Sequence, residues 1–393
     1  MKEKETLMTA TLSGTMDAAT SAAIREEFPI LREYTYLNAA AQGPLPDRTA
    51  RAAERTIRLS QLPQSKEANA EPSPEIAARS RLARLIGADE GDILWTGNTT
   101  HGMNICAQGI DWQAGDNVVI PANEFPSLSY TWYNLTQRGV EVRIVPYSGA
   151  GPSVATLLDA VDGQTRAVSC SAITWNTGWR ANLEELGAAC EKLGVLLIVD
   201  GIQAVGARRL DVKAMRISAL STHGYKWVLS GFGLGALYVA PEAVDRIRPT
   251  FIGSQAVQAS GEDFEPHLTW KPGAARYGAG GINRVGLASL GASLGLIEEV
   301  GIDRIEEHDR ALAEQLYAGL QGKPGIEVVS SADPAHRSAV IVFTRGSKEK
   351  DAALVQHLEE QGIIVALRPL GVRVSPHFYN TEDDVARLLG SLG

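Results

Sequence analysis

Val195-Leu196-Leu197-Ile198-Val199-Asp200, followed by Ser221-Thr222-His223-Gly224-Tyr225-Lys226-Trp227, decides the reading of this chain. The first stretch is five apolar residues without helical spacing, then an acid. Such a run suits a strand covered on both faces of a parallel sheet. Asp200 then closes the strand at its carboxyl end, where open α/β sheets bind ligands. Lys226 follows Asp200 by 26 positions, among hydroxyl, imidazole and phenol groups. A carboxylate and an amine are thus delivered to one crevice. A solvated surface lysine is the commoner case, but His223, Tyr225 and the apolar run Trp227-Val228-Leu229 argue for a buried one.

Outward from this pair the texture repeats. The runs 92–95, 117–120, 141–145 and 167–170 are strand-like and separated by helical stretches, and 235–239 supplies a strand after the lysine. This alternation implies βαβ units and a mainly parallel sheet. Gly231-Phe232-Gly233-Leu234-Gly235 could pass for a dinucleotide fingerprint, but it precedes a strand rather than a helix and reads as a turn. Beyond residue 300 the texture changes: a helix over 301–321, strands over 326–329 and 339–343, a helix over 349–361, a strand over 363–366 and a terminal helix from Glu382. The expected division is a flexible N-terminus over 1–20, a large domain over 21–295 whose N-terminal segment contacts the small domain, and a smaller α+β domain over 296–393.

Composition excludes several classes. A chain of 393 residues with 44% hydrophobic content can bury a sizeable core, which removes disorder from consideration. The net charge of −9 argues against a general nucleic-acid partner, because phosphate neutralisation needs clustered Lys and Arg. No run of about 20 apolar residues exists, so no membrane span is expected. The first residues lack a charged region followed by an apolar core, and the expectation is a cytoplasmic protein. Cys106, Cys170 and Cys190 are widely spaced without a metal-ligand pattern, and read as small buried residues in a reducing compartment. No metal is expected.

A buried acid and a lysine are the equipment for pyridoxal phosphate (PLP): the amine condenses with the aldehyde, and the acid partners the pyridinium nitrogen. Burial lowers a lysine's pKa towards the neutral form this requires. Once displaced by substrate, the same amine can move the α-proton. Gly97-Asn98-Thr99-Thr100-His101-Gly102-Met103-Asn104 follows a strand and opens a helix. A helix N-terminus offers unpaired N–H groups and a favourable dipole to a phosphate, and the Thr hydroxyls add donors. A routine helix cap is the competing reading.

These blocks, in this order from about Phe28 to the C-terminus, resemble the class V aminotransferase and cysteine desulfurase family of fold-type I PLP-dependent enzymes. The resemblance implies an α/β fold, with a large domain carrying a mainly parallel, seven-stranded-type sheet and a smaller α+β domain. It implies that Lys226 holds the cofactor aldehyde, Asp200 the ring nitrogen and Gln203 the phenolic oxygen. Thr99, Thr100, His223 and Tyr225 would bind the phosphate, and Phe125 would stack on the ring. Desulfurases usually place His at that stacking position; Phe can hold the ring plane but cannot relay protons. Around Trp175-Asn176-Thr177-Gly178 two readings stay open. Either Asn176 meets the cofactor oxygen, or Trp175 lines the pocket and Gln203 bonds the oxygen alone.

Arg373, in Gly371-Val372-Arg373-Val374-Ser375-Pro376-His377-Phe378-Tyr379-Asn380-Thr381, matches the family arginine that clamps the substrate α-carboxylate through two parallel hydrogen bonds. Arg368 is a second contact, and Asn38 lies in a segment the family places near the substrate pocket. Arg276-Tyr277-Gly278-Ala279-Gly280-Gly281-Ile282-Asn283 matches the block that reaches a neighbouring subunit's phosphate. The family often has Gly-Thr where this chain has Gly280-Gly281, so the contact falls to the backbone of Gly281 or to Asn283. A homodimer with shared active sites is implied.

Residues 362–372 contain no cysteine, although desulfurases need one on the loop before the Arg block. Persulfide-forming desulfurase chemistry is therefore not expected. The expected function is a PLP enzyme acting on a small-molecule α-amino acid, first of all a lyase cleaving C–S or another bond at Cβ. Transamination and isopenicillin N epimerase-like epimerisation begin with the same loss of the α-proton and stay open. A non-catalytic binding protein on this fold predicts erosion of Lys226, Asp200 or Arg373, and all three are present. A nicotinamide-dependent oxidoreductase would need a glycine-rich strand-to-helix turn near the first strand, which is missing. Trp175, Tyr130, Trp132 and His377 are candidates for shaping the side-chain pocket.

Overall fold

The structure is a computed structural model that describes residues 18–258 and 268–392. Of the terminus expected to be flexible, 1–17 lie outside the described residues, and 18–20 open the helix Ala18–Glu26. The strands, in chain order, are β1 (Thr35–Tyr36), β2 (Ile93–Thr96), β3 (Asn117–Pro121), β4 (Glu141–Val145), β5 (Thr165–Ser171), β6 (Leu196–Asp200), β7 (Ala219–His223), β8 (Gly235–Val239), β9 (Glu327–Val328), β10 (Ile341–Thr344), β11 (Ile363–Ile364), β12 (Ala366–Arg368) and β13 (Gly371–Val374).

Seven strands form one sheet in the order β2-β8-β7-β6-β5-β3-β4. Its members are mutually parallel except β8, which runs antiparallel to both neighbours. Every residue of β3, β6, β7 and β8 is buried, as suits strands covered on both faces, the polar Asn117, Ser221, Thr222 and His223 included. The helix Thr99–Gly109 packs on β7 and β8, and the helix Leu183–Leu193 on β6. Each parallel strand thus delivers its last residue to the same sheet edge, and Asp200 is one of them.

The helix Arg284–Val300 packs against the helices Asp47–Ser60 and Pro74–Ile86. The boundary expected between 295 and 296 falls inside this helix, and Leu296, Ile297 and Val300 belong to the large core. The helix Ile302–Leu320 departs from it at 77° after Gly301.

The C-terminal part has its own antiparallel sheet, β12-β13-β10-β9, and its own apolar cluster around Leu316, Phe343, Leu358 and Val385. The single strand expected over 363–366 is split, because its halves serve different partners. β11 pairs with β1, and β12 pairs with β13. The N-terminal segment is thereby joined to the C-terminal part, and the pairing continues at Asn38 and Ser375. Among the described residues no single helix is long and apolar enough to cross a membrane, and no cluster of His, Cys, Asp and Glu could hold a metal ion.

The loop after β5 seals the two parts together. Ser330 Oγ donates to the Thr177 carbonyl at 2.6 Å, and Ser338 Oγ to the Gly178 carbonyl at 2.7 Å. Gly178 has φ +72°, and a Cβ there would collide with the Val340 carbonyl. Gly178→Ala is expected to lower stability by about 2–3 kcal/mol, through left-handed strain and overpacking. Equilibrium denaturation checks this; an unchanged midpoint would mean that the two parts can move apart freely.

Candidate active site

β6 and β7 are adjacent and parallel, with Asp200 opposite Ser221. The chain leaves β7 at His223 and turns, and Lys226 comes to line the same cleft as Asp200. The turn is held from distant segments. Gly43 N–H donates to the Tyr225 carbonyl at 2.9 Å, and Trp227 Nε1 donates to Gln203 Oε1 at 2.7 Å. His377 Nε2 donates to the Trp227 carbonyl at 3.0 Å. A Cβ on Gly43 would collide with the Lys226 carbonyl, so only glycine lets this backbone approach.

Both charges of the pair are buried. Burial pushes Lys226 down to about 8, partly opposed by Asp200 and reinforced by Arg373 and Arg368. Burial pushes Asp200 up to about 6, partly opposed by the Ile202 N–H at 3.0 Å and by Lys226. The amine is therefore available as a nucleophile near neutral pH, and the carboxyl awaits a cation.

The rest of the cleft, about 200 Å³ in volume, is a cradle for an anion. Asn98 caps the helix Thr99–Gly109 by accepting from the His101 N–H at 2.9 Å. Thr99 Oγ1 is buried and has no partner among the described residues. Thr100 Oγ1 donates to Ser127 Oγ at 2.9 Å, which brings a second helix start, Pro126–Tyr133, to the cleft. Burial, and next the charge of Lys226, lowers His223 to about 4, so its ring is neutral. His223 Nε2 accepts from the Gly233 N–H at 3.2 Å, which leaves the ring proton on Nδ1 as a donor. Tyr225 stacks on Phe232 with centroids 4.4 Å apart. Phe125 is 38% exposed over the opening, its ring centroid 5.6 Å from Lys226 Nζ and edge-on to Trp175 at 5.5 Å.

The substrate end is marked by unsatisfied groups. Arg373 lies on β13, between β10 and β12, and is 2% exposed. Its Nη1 donates to the Trp175 carbonyl at 2.9 Å, while Nε and Nη2 are buried without partners among the described residues. Burial, with Arg368 adding to it, lowers its pKa to about 9. A guanidinium left this way is costly, and a bound carboxylate would satisfy both free nitrogens. Asn38 Oδ1 is likewise buried and unpartnered among the described residues. Arg368 is half-buried, with Nη1 donating to the Leu367 carbonyl at 2.9 Å.

The sequence profile described as Aminotransferase class-V matches residues 36–388. The chain belongs to the class V aminotransferase family. A probable cysteine desulfurase of Methanothermobacter thermautotrophicus is 30% identical, over 93% of this chain and 96% of the relative. An uncharacterized aminotransferase of Schizosaccharomyces pombe is 27% identical over 80% of each chain. Among solved structures, a lysine-to-alanine mutant of C-DES with glycine covalently linked to the PLP cofactor superimposes with TM-score 0.86 at 28% identity, over 93% of this chain and 98% of that one. A complex of the cystine C–S lyase C-DES with its reaction product, cysteine persulfide, gives TM-score 0.84 at 28% identity, over 92% and 98%. The fold is that of the fold-type I PLP-dependent enzymes, and PLP is the cofactor. The cradle fits it: Lys226 would hold the aldehyde, Asp200 the ring nitrogen, and Thr99, Thr100 and His223 the phosphate.

The remaining expected residues take the following places. Gln203, like Arg373, Arg368, Asn38, Trp175 and Asn176, is not among the residues lining the cleft itself. Its amide spans the Ala40 carbonyl at 3.1 Å and Trp227 Nε1, so it braces the lysine turn. Trp175 reaches Phe125, whereas Asn176 is buried, with Nδ2 3.5 Å from the Asn123 carbonyl and Oδ1 unpartnered among the described residues. Asn283 caps the helix Arg284–Val300 and donates to the Gly233 carbonyl at 3.2 Å. Asn283 and Gly281 line a different, larger cleft together with Gly97 and His101. Tyr130 is exposed, Trp132 is buried against Trp112, and His377 is fully buried, bonded to Asp309 at 2.7 Å.

One residue of the cleft lining, and one buried acid outside it, escaped sequence reasoning. Ser127 joins Thr100 at the cradle. Glu124 is buried and pushed up to about 7, although Ser171 donates to it from N at 2.8 Å and from Oγ at 2.5 Å. Its place immediately before Phe125 was the available signal. In the cofactor-free chain, acylation of Lys226 by a small anhydride, with loss of the carboxylate leaving group, is expected to rise with pH through a midpoint of about 8. Peptide mass spectrometry reads it; a midpoint near that of free lysine, about 10.4, would mean that water reaches the amine.

Proposed function

We propose that this class V enzyme is a PLP-dependent lyase that cleaves a carbon–sulfur bond at Cβ of an α-amino acid. The carrying observation is the location of its thiols. All three cysteines of the chain are buried. Burial pushes Cys106 and Cys190 up to about 12, and Cys170 upwards as well. None lines the cleft around Lys226. A thiol of this kind is a poor sulfur acceptor, so sulfur would leave with its own fragment rather than on the protein. The likeness to the cystine C–S lyase C-DES supports the same reading.

When bound, PLP supplies an electron sink for the pair left at Cα. The side chains supply the rest. Arg373 grips the α-carboxylate and fixes which bond at Cα faces Lys226. Asp200 keeps the proton on the ring nitrogen, and Phe125 covers the ring face. Lys226 Nζ, neutral near pH 8, takes the α-proton. The Cβ–S electron pair departs with sulfur, and Nζ is placed to return a proton. The block around Gly281 and Asn283, which faces a large cleft shared with His101, supports a homodimer completed at that face.

Single-turnover reactions with L-cystine, L-cysteine and cysteine S-conjugates test the proposal. Pyruvate, ammonia and a sulfur-bearing fragment are expected, with the resting cofactor spectrum restored. Stoichiometric pyridoxamine phosphate and a keto acid would instead establish transamination. Arg373→Leu is expected to lower kcat/KM by about 10²–10³-fold, for loss of a buried charge-paired contact. Borohydride trapping of the cofactor on Lys226 should persist in that variant; loss of trapping would assign Arg373 to folding rather than to the carboxylate.

A further inference from the structure

A second cavity lies between the loop after β6 and the C-terminal part. Its walls include Gln203 and Arg208 on one side and Glu306, Asp309, Arg310 and Arg337 on the other, with Arg180 from the loop after β5. It shares no lining residue with the cleft around Lys226.

Its charges do not balance locally. Arg180 pairs with Glu306 at 3.2 Å. Arg337 pairs with Glu314 at 3.0 Å and lies 3.8 Å from the Tyr317 ring centroid. Asp309 Oδ2 meets His377 Nδ1 at 2.7 Å, and His377 Nε2 must carry a proton to donate to the Trp227 carbonyl. With one proton on Nε2 and one in the Nδ1–Oδ2 bond, the His377–Asp309 couple is neutral overall. Arg208 and Arg310 remain, neither in contact with a counter-ion among the described residues.

Arg208 is the decisive group. It is 4% exposed, and its Nε and Nη1 are buried without partners among the described residues. Burial lowers its pKa to about 10, Arg180 adds to this, and Glu306 and Glu184 oppose it in part. Two unpartnered donor nitrogens on a buried cation that lines the cavity are costly unless something accepts from them. The free volume is about 30 Å³, against about 10–15 Å³ for a single water. Phosphate esters, nucleotides and amino acids are too large.

We propose that this cavity is a binding site for a small monovalent inorganic anion of halide size, held by Arg208 with Arg310 at the rim. Its occupant bridges the segment after β6 to the C-terminal part. The wall it touches contains Gln203 and Trp227, the pair that braces the lysine turn.

The test is the thermal midpoint of the holoenzyme in sodium chloride against sodium gluconate at fixed ionic strength. Chloride is expected to raise the midpoint saturably, by about 1–3 °C, because it binds only the folded chain. Arg208→Met should abolish the response, and Arg310→Gln should move it several-fold to higher chloride. If Arg208→Met does not fold, Arg208→Lys serves, with a response several-fold weaker than the parent. In bromide-soaked crystals an anomalous peak should contact Arg208 Nε and Nη1. Superimposable chloride and gluconate curves, a response that survives Arg208→Met, a response unchanged in Arg208→Lys, or bromide found only elsewhere would overturn the proposal.

Discussion

Two opposite charges held out of water at one sheet edge, Asp200 and Lys226, are the constraint on which the remainder of the site depends. Neither could occupy its place without the sheet. β6 and β7 must both be covered so that their carboxyl ends open into a dry crevice. Dryness moves each group towards neutrality, the lysine down to about 8 and the aspartate up to about 6. The same dryness neutralises His223 and leaves Arg373 costly until a carboxylate arrives. Groups in the cleft and beside it are individually unsatisfied among the described residues: Thr99 Oγ1 in its lining, and Asn38 Oδ1 and Arg373 Nε beyond it. Stability is given up at these positions so that ligand groups find partners already oriented.

The lysine turn shows how such a site stays ordered. Its backbone and flanking indole are bound by Gly43 from the N-terminal segment, by Gln203 from the turn after the strand carrying the acid, and by His377 from the C-terminal part. Three separate stretches of chain converge on Tyr225 and Trp227, the two neighbours of Lys226. The Asp309–His377 pair, fully enclosed, anchors the last of these and fixes the tautomer that donates to Trp227.

The sheet was legible because periodicity survives without tertiary knowledge. The apolar runs around 118 and 197 became fully buried parallel strands, the run around 168 a parallel strand buried except at Arg166, and Asp200 ended its strand as the pattern required. Lys226, Asp200, Thr99, Thr100, Phe125, His223 and Tyr225 came together in one cleft. What the chain did not disclose were choices of rotamer and partner. Gln203 could face either a ligand or Trp227, and spacing is silent between them. Asn283 reads equally as a ligand donor and as the helix cap it provides. Arg208-Arg209 looks like a solvated basic doublet, yet only Arg208 turns inward. The break at Val365 depended on two pairing partners more than 300 positions from one another, Thr35–Tyr36 and Gly371–Val374.

The union of β1 with β11 carries a consequence for biosynthesis. Thr35 finds its partner in Ile363, so on the ribosome the first segment waits for one made 328 residues (363 − 35) later. Until then Asn38 and Gly43 cannot settle, and the turn around Lys226 lacks one of its restraints. A sheet made of local βαβ units can form during elongation, whereas the closing stitch joins residues more than 300 positions apart. Nascent and prematurely terminated chains therefore carry the acid and the lysine without the enclosure that tunes them. Competence for cofactor capture arrives late, as a property of the completed polypeptide.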